Sequence, residues 1–276
     1  MVKTDFDFTE RELIMLKTPP SHGSLTFFHP CYGPKRYNTI EEATRSVGGL
    51  RIATMTELVS ILSFYSDLRR EDYREIKDLM KSRYLWTSTG ILPSTRGEGV
   101  YVQDRVESKV KGGGEGLAHM DESELVKRLE ANDPNVRFAS NSYKAGTMTP
   151  SELSKNELFI ALTNEASAKA MAKIASRIKK DVYFDEPRKN NNDGLVYTIT
   201  LSSRNSFCID TCTGNLFGYA FLVADPSYSK EGEDLESKPK QLQEYISREK
   251  AKRDIEWKKL MENKEFRNSW DSLFKR

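Results

Sequence analysis

The chain is short of the residues that carry most side-chain chemistry. It has three cysteines (Cys31, Cys208 and Cys212) and three histidines (His22, His29 and His119) in 276 residues. Three cysteines are too few for a disulfide scaffold, and an odd number leaves one over, so a reducing, cytoplasmic setting is expected. Histidines this sparse and scattered argue against a Ser-His-Asp site. No stretch approaches the roughly 20 apolar residues needed to span a bilayer, so no membrane partner is expected. The first residues, with Asp5, Asp7, Glu10, Arg11 and Glu12, contain no apolar run of signal-peptide length. The glycines at 112–116 lack a following Lys-Ser/Thr and match no GxGxxG spacing, so they read as a loop and not a phosphate cradle. No internal repeat is present. A net charge of only +2 gives no global field that would draw in nucleic acid.

What is there is aromatic. Thirteen Phe, 12 Tyr and 3 Trp can build a core even though 30% of residues are charged and only 37% hydrophobic. Leu25–Phe28 reads as a strand by its β-branched and aromatic content. Thr39-Ile40-Glu41-Glu42 reads as a capping box opening a helix that stops at Gly48-Gly49. Thr54-Met55-Thr56-Glu57 is a second box, from which Leu58, Ile61, Leu62, Tyr65 and Leu68 share one helical face. A further helical segment places Tyr73, Ile76, Leu79 and Met80 at similar spacing. Tyr84–Thr89 reads as a strand, with Gly99–Asp104 as its hairpin partner. Asp121 and Thr149 should cap helices, and Asn164 or Thr163 an alanine-rich helix to Lys180. Glu10–Lys17 reads as a short helix, Leu158–Leu162 as a buried strand, and Leu195–Leu201, Phe207–Thr211 and Leu216–Val223 as a β-meander.

Two segments stand out. Leu50-Arg51-Ile52-Ala53-Thr54-Met55-Thr56-Glu57-Leu58 leads into a helix, and Tyr84-Leu85-Trp86-Thr87-Ser88-Thr89 lies on the strand after it. Together they resemble the bacterial C-type-lectin-like domains, in which an Arg-Leu-Pro-Thr-x-x-Glu-Leu segment precedes a Trp-Ser-Ser-Thr strand. The formylglycine-generating, sulfatase-modifying enzymes are more distant relatives of that fold. Arg51, Ala53, Thr54, Glu57 and Leu58 match one motif, and Trp86, Ser88 and Thr89 the other. Ala53 stands where the family has proline. The chain texture further resembles an uncharacterised archaeal family, which supplies no activity.

The resemblance implies an α+β fold: a C-type-lectin-like antiparallel sheet with two helices, a mixed α/β insertion and a C-terminal helical tail. Residues 22–104 and 195–225 would form the scaffold, with Phe217–Ala224 as the closing strand. Residues 105–194 would be the inserted subdomain, and 226–276 a linker and helix. The calcium-dependent sugar motifs Glu-Pro-Asn and Trp-Asn-Asp are absent, and the oxidase cysteine pair has no match, so neither chemistry carries over.

Each candidate site has a plainer account. Cys208 and Cys212, with His29 and Cys31, are the soft-metal candidates, but four residues of strand separate the two cysteines by roughly 13 Å. Glu186, Asn190, Asn192 and Asp193 could offer oxygen to calcium, yet a hairpin turn explains the same residues. No cofactor or metal is therefore expected. Ser88 and Thr89 read as strand hydroxyls bonded within the fold, and Arg51 with Glu57 as a structural ion pair. The tail is different. Residues 236–276 carry 12 Lys/Arg against 8 Asp/Glu, leaving the first 235 residues at −2. Arg248, Lys252, Arg253 and Lys258 surround Trp257, a pattern able to hold phosphate and stack a base. Interleaved Glu244, Glu249, Asp254 and Glu256 favour a helix that docks on a protein.

The expected function is thus a non-catalytic recognition protein with a protein partner. An RNA- or ribosome-associated factor acting through the basic tail is the first alternative. The second is an enzyme with its site between scaffold and insertion, where loops 93–118 and 187–194 would converge.

Overall fold

Two adjacent phenylalanines show how the layers are laid down. In the strand Thr26–His29 (β2), Phe27 and Phe28 are both buried, yet they join different hydrophobic cores. Successive strand residues point to opposite faces, so both faces of this sheet are covered. The same alternation recurs at Leu85 and Trp86, at Tyr219 and Ala220, and at Phe221 and Leu222. These placements come from a computed structural model that describes residues 13–22, 24–67, 84–107, 120–185, 197–202, 207–212, 217–225 and 234–262.

A four-stranded sheet runs in the order β1 (Ile14–Lys17), β2, β13 (Leu222–Ala224), β4 (Leu50–Ile52). A larger sheet runs β3 (Tyr32–Lys35), β12 (Gly218–Ala220), β5 (Tyr84–Pro93), β10 (Tyr197–Ser202), β11 (Phe207–Cys212), β9 (Val182–Phe184), β8 (Gly146–Met148). Strand β6 (Gly99–Gln103) joins β5 to β7 (Val136–Ser140). β12 and β13 are separated only by Phe221, so this closing stretch belongs to both sheets and stitches them together.

Helix α1 (Tyr37–Val47) covers one face, and α2 (Met55–Asp67) the other. Helix α3 (Glu122–Glu130) packs over β6 and β7 through Leu125, beside Leu92, Tyr101 and Val136. Helices α4 (Pro150–Leu153), α5 (Glu157–Leu162) and α6 (Glu165–Arg177) join the core of α2. The last helix, α7 (Lys238–Glu262), lies against α1 through Leu242 and Ile246. The architecture is α+β, as the sequence resemblance implies. The segment 105–194 contributes β7, β8 and β9 to the large sheet, so backbone pairing knits it into the rest.

Local chemistry places most elements where the sequence does. Thr54 and Glu57 form their reciprocal box, Thr149 and Glu152 do the same, and Asn164 caps α6 through Ser167 N–H at 2.8 Å. Gly48 ends α1 at φ 67, its N–H bonded to Thr44 carbonyl.

Several expectations are corrected. Ile14–Lys17 is a strand, because β2 offers it a full antiparallel ladder. Leu158–Leu162 lies in a helix, started by the Asn156 side chain accepting from Phe159 N–H; a five-residue apolar run has no period that separates the two forms. Helix α1 begins at Tyr37 without a side-chain cap, which puts Thr39 inside its first turn. The meander breaks after its first hairpin: β11 turns its other edge to β9, and β12 pairs in parallel with β5. The β5–β6 hairpin forms, but through Gly90–Pro93 and not through Tyr84–Thr89. The segment around Tyr73–Met80, the 112–116 glycines and the 190–193 turn lie outside the described residues.

Candidate functional site

Strand β5 is flanked on one edge by β12 at Tyr84–Trp86 and by β6 at Gly90–Pro93. Between them, at Thr87–Thr89, the strand-to-strand ladder is interrupted, and the β4–α2 junction takes its place. Ser88 N–H donates to Ala53 carbonyl at 2.9 Å, and Ser88 Oγ donates to Ile52 carbonyl at 2.9 Å. Met55 N–H donates to Thr89 Oγ1, which in turn donates to Asp104 Oδ1 at 2.5 Å. Val106 N–H donates to Ser88 carbonyl, and Tyr37 hydroxyl to Val106 carbonyl. The two sequence motifs therefore clasp each other. Buried backbone polar groups need partners, and the Ser and Thr hydroxyls supply them where a neighbouring strand is missing.

Arg51 is the charged centre of this clasp. Its Nη1 and Nη2 grip both Glu57 oxygens at 2.6 Å, and its Nε reaches Asp225 Oδ2 at 2.6 Å. Burial opposes ionisation of both partners. The paired hydrogen bonds and opposite charges outweigh it, pushing Arg51 above its usual range and holding Glu57 below 4.5, with Thr54 helping. Neither group exchanges a proton near neutral pH. Trp86, wholly buried, donates its indole N–H to Lys35 carbonyl and meets Tyr37 edge-on at 5.8 Å.

Arg105 approaches the same Asp225 oxygen with Nη2 at 3.2 Å, its side chain 39% exposed. Its backbone has φ 60, a left-handed conformation rare for a side chain of this kind. That conformation costs about 1–2 kcal/mol. An ion pair so exposed returns about 0–1 kcal/mol. The ion pair and the backbone cost are therefore of the same order.

Two clefts meet at residues 105–107. The first, about 300 Å³, is lined by Tyr37, Leu50, Ile52 and Val106, by Arg45, Arg51 and Arg105, and by Glu41 and Glu107. The second, about 320 Å³, lies where β6 meets α3 and is lined by polar groups including Asp104, Glu107, Asp121, Glu124 and Arg128. This second cleft sets residues 103–107 against 120–135, whereas residues 108–118 and 187–194 of the loops expected to converge lie outside the described residues. Beside it, Arg137 pairs with Asp104 at 2.7 Å and donates to Ala161 carbonyl, tying β7 to α5.

The fold-motif residues Arg51, Thr54, Glu57, Trp86, Ser88 and Thr89 all come together. The tail residues do not share one face. Arg248 and Lys252 are one turn apart, while Arg253, Trp257 and Lys258 fall on other sides at about 100° per residue. The described side chains from Ser247 onward are exposed except Glu249, which is half-buried. Tyr32 is pushed up to about 12, chiefly by burial, with the charges of Tyr245, Arg253 and Glu249 acting on it. Buried Lys238 donates to Val47 carbonyl at 3.1 Å, closing the end of α1. Cys31 is buried and Cys208 half-buried, and among the described residues no group of three or more His, Cys, Asp or Glu converges to hold a metal.

Sequence reasoning missed Asp225, Arg105, Asp104 and Tyr37. Asp225 lies 174 positions from Arg51, and no local pattern joins them. Arg105 is one polar residue at the start of a polar stretch; only its φ marks it.

No family model matches the chain, and no curated protein matches it. One solved structure, from work on the accommodation of massive sequence variation in Nanoarchaeota by the C-type lectin fold, is similar over 70% of this chain and 96% of that one, at 12% identity and a TM-score of 0.48.

Proposed function

We propose that this protein is a non-catalytic recognition protein, and that it binds its ligand in the cleft between α1, β4 and residues 105–107. One observation carries the reading. Behind the cleft Arg51 is locked to Glu57 and Asp225, which fixes the lining residues Leu50 to Ile52 in place before any ligand arrives. A preformed cleft with a largely apolar lining and a few polar groups is the chemistry of binding. In this reading residues 22–104 and 195–225 form a C-type-lectin-like scaffold, supported by the clasp of the two motifs. Residues 105–194 form the inserted subdomain and supply one wall of the cleft, and 226–276 form the linker and tail.

The test is a mixed fragment library titrated against the isotope-labelled full chain, read by amide chemical shifts. Shifts clustered at residues 44–52 and 105–107 support the reading. Shifts confined to other surfaces refute it.

A second reading rests on the exposed basic residues of α7. Arg248, Lys252, Arg253 and Lys258, with Trp257 among them, would contact an RNA or ribosomal partner. Binding of a single-stranded RNA that weakens steeply as salt rises would support it, and binding insensitive to salt would remove it.

A further inference from the structure

We propose that the cleft takes a small molecule with an apolar body and a single carboxylate, and that Arg105 selects the carboxylate. The inference rests on the cleft being the binding site.

Of the three guanidiniums at the cleft, two are committed. Arg51 is gripped by Glu57 and Asp225, all three contacts at 2.6 Å. Arg45 is bonded to Glu41 at 2.7 Å. Arg105 makes one longer contact, 3.2 Å to an oxygen that Arg51 already holds. Moving Arg105 from Asp225 to a ligand therefore leaves no carboxylate unpaired. Its Nε and Nη1 have no partner among the described residues, and a planar fork of N–H donors fits a carboxylate side-on.

The backbone points the same way. Arg105 sits at φ 60, where glycine would be relaxed, and its exposed ion pair is of the same order as that strain. Of the four described non-glycine residues at positive φ, Ser24, Arg105, Asn132 and Lys179, Arg105 is the one that lines this cleft. The carboxylates of the lining bear on the charge of the ligand. With Glu41 already bonded to Arg45, Glu107 repels a dianion such as a phosphate monoester more strongly than a monoanion. The apolar lining residues, and a volume of about 300 Å³, fit a body about the size of one aromatic ring.

The experiment titrates the full chain with benzoate and with benzamide, an uncharged molecule of the same shape, following the amides of residues 44–52 and 105–107. Two charge-assisted hydrogen bonds should make benzoate bind about tenfold more tightly. In Arg105→Gly that preference should fall to within about twofold, while the thermal midpoint stays level or rises because the backbone relaxes. Equal binding of both probes in the wild type overturns the carboxylate selection and leaves the recognition cleft standing. Shifts from neither probe at these amides overturn both. An Arg105→Gly variant that keeps the preference for benzoate overturns the role of Arg105. One that unfolds several degrees lower shows Arg105 to be a structural residue, and overturns it as well.

Discussion

Replacing Arg51 by methionine removes the guanidinium but keeps a side chain of similar length. Glu57 and Asp225 are then left in a site where their side chains are 20% and 8% exposed. At an effective dielectric constant of about 20, each ion pair is worth about 4 kcal/mol gross, most of it offset by the loss of hydration. Removing only the cation leaves the lost hydration uncompensated, which costs about 3–5 kcal/mol. Two remaining contacts favour the lower end: Thr54 N–H still donates to Glu57 at 2.8 Å, and Arg105 still lies near Asp225. The expected loss is about 3 kcal/mol, or about 2–4 °C in midpoint for each kcal/mol in a chain of this size.

The pH dependence should change sign. In the wild type Glu57 is held below 4.5 in the folded state, so the unfolded chain binds more protons in acid, and stability falls as pH drops through 4.5 and below. In Arg51→Met the stranded carboxylates take up protons more readily when folded than when unfolded. Stability should then rise as pH drops from about 7.5 to about 5. Urea denaturation at both pH values, followed by far-ultraviolet dichroism, measures both effects. A loss under about 1 kcal/mol, or an unchanged pH slope, would refute the account of Arg51 as the neutralising centre. The variant that also carries Glu57→Met and Asp225→Leu should regain most of the stability, since it buries no unpaired charge.

Three further outcomes follow from the same geometry. Ser88→Ala should cost about 1–2 kcal/mol in urea denaturation, because Ile52 carbonyl loses its buried hydroxyl donor and is left with a longer, 3.3 Å contact from Arg51. Gly218→Ala should cost more than 1 kcal/mol: an added Cβ would lie 2.7 Å from Trp86 Nε1 and 2.9 Å from Tyr84 carbonyl, so β12 must move off β5. Its tryptophan fluorescence should shift as the indole loses its packing. Leu242→Ala should cost about 2–5 kcal/mol and speed proteolytic release of α7, since Leu242 is wholly buried in the core shared with α1; unchanged proteolysis would show that the helix is held by other contacts.

The sequence by itself determined the local starts and stops. Thr54 with Glu57, Thr149 with Glu152, and Gly48 act on groups within four residues, so their chemistry is readable along the chain. The β-branched and aromatic content of Leu25–Phe28 also announced a strand, whose burial on both faces only the packed layers showed. The tertiary structure decided what those elements meet. Leu158–Leu162 became a helix through a cap and a core that its own residues do not specify, and Ile14–Lys17 a strand because β2 was there to pair with it. The cleft depended most on the fold. Asp225 reaches Arg51 only because the closing stretch crosses between sheets at Phe221 and ends beside Gly49, whose carbonyl accepts Asp225 N–H at 2.9 Å. Arg105 faces the cleft through a backbone angle, and a sequence lists residues but not the angles at which they are held.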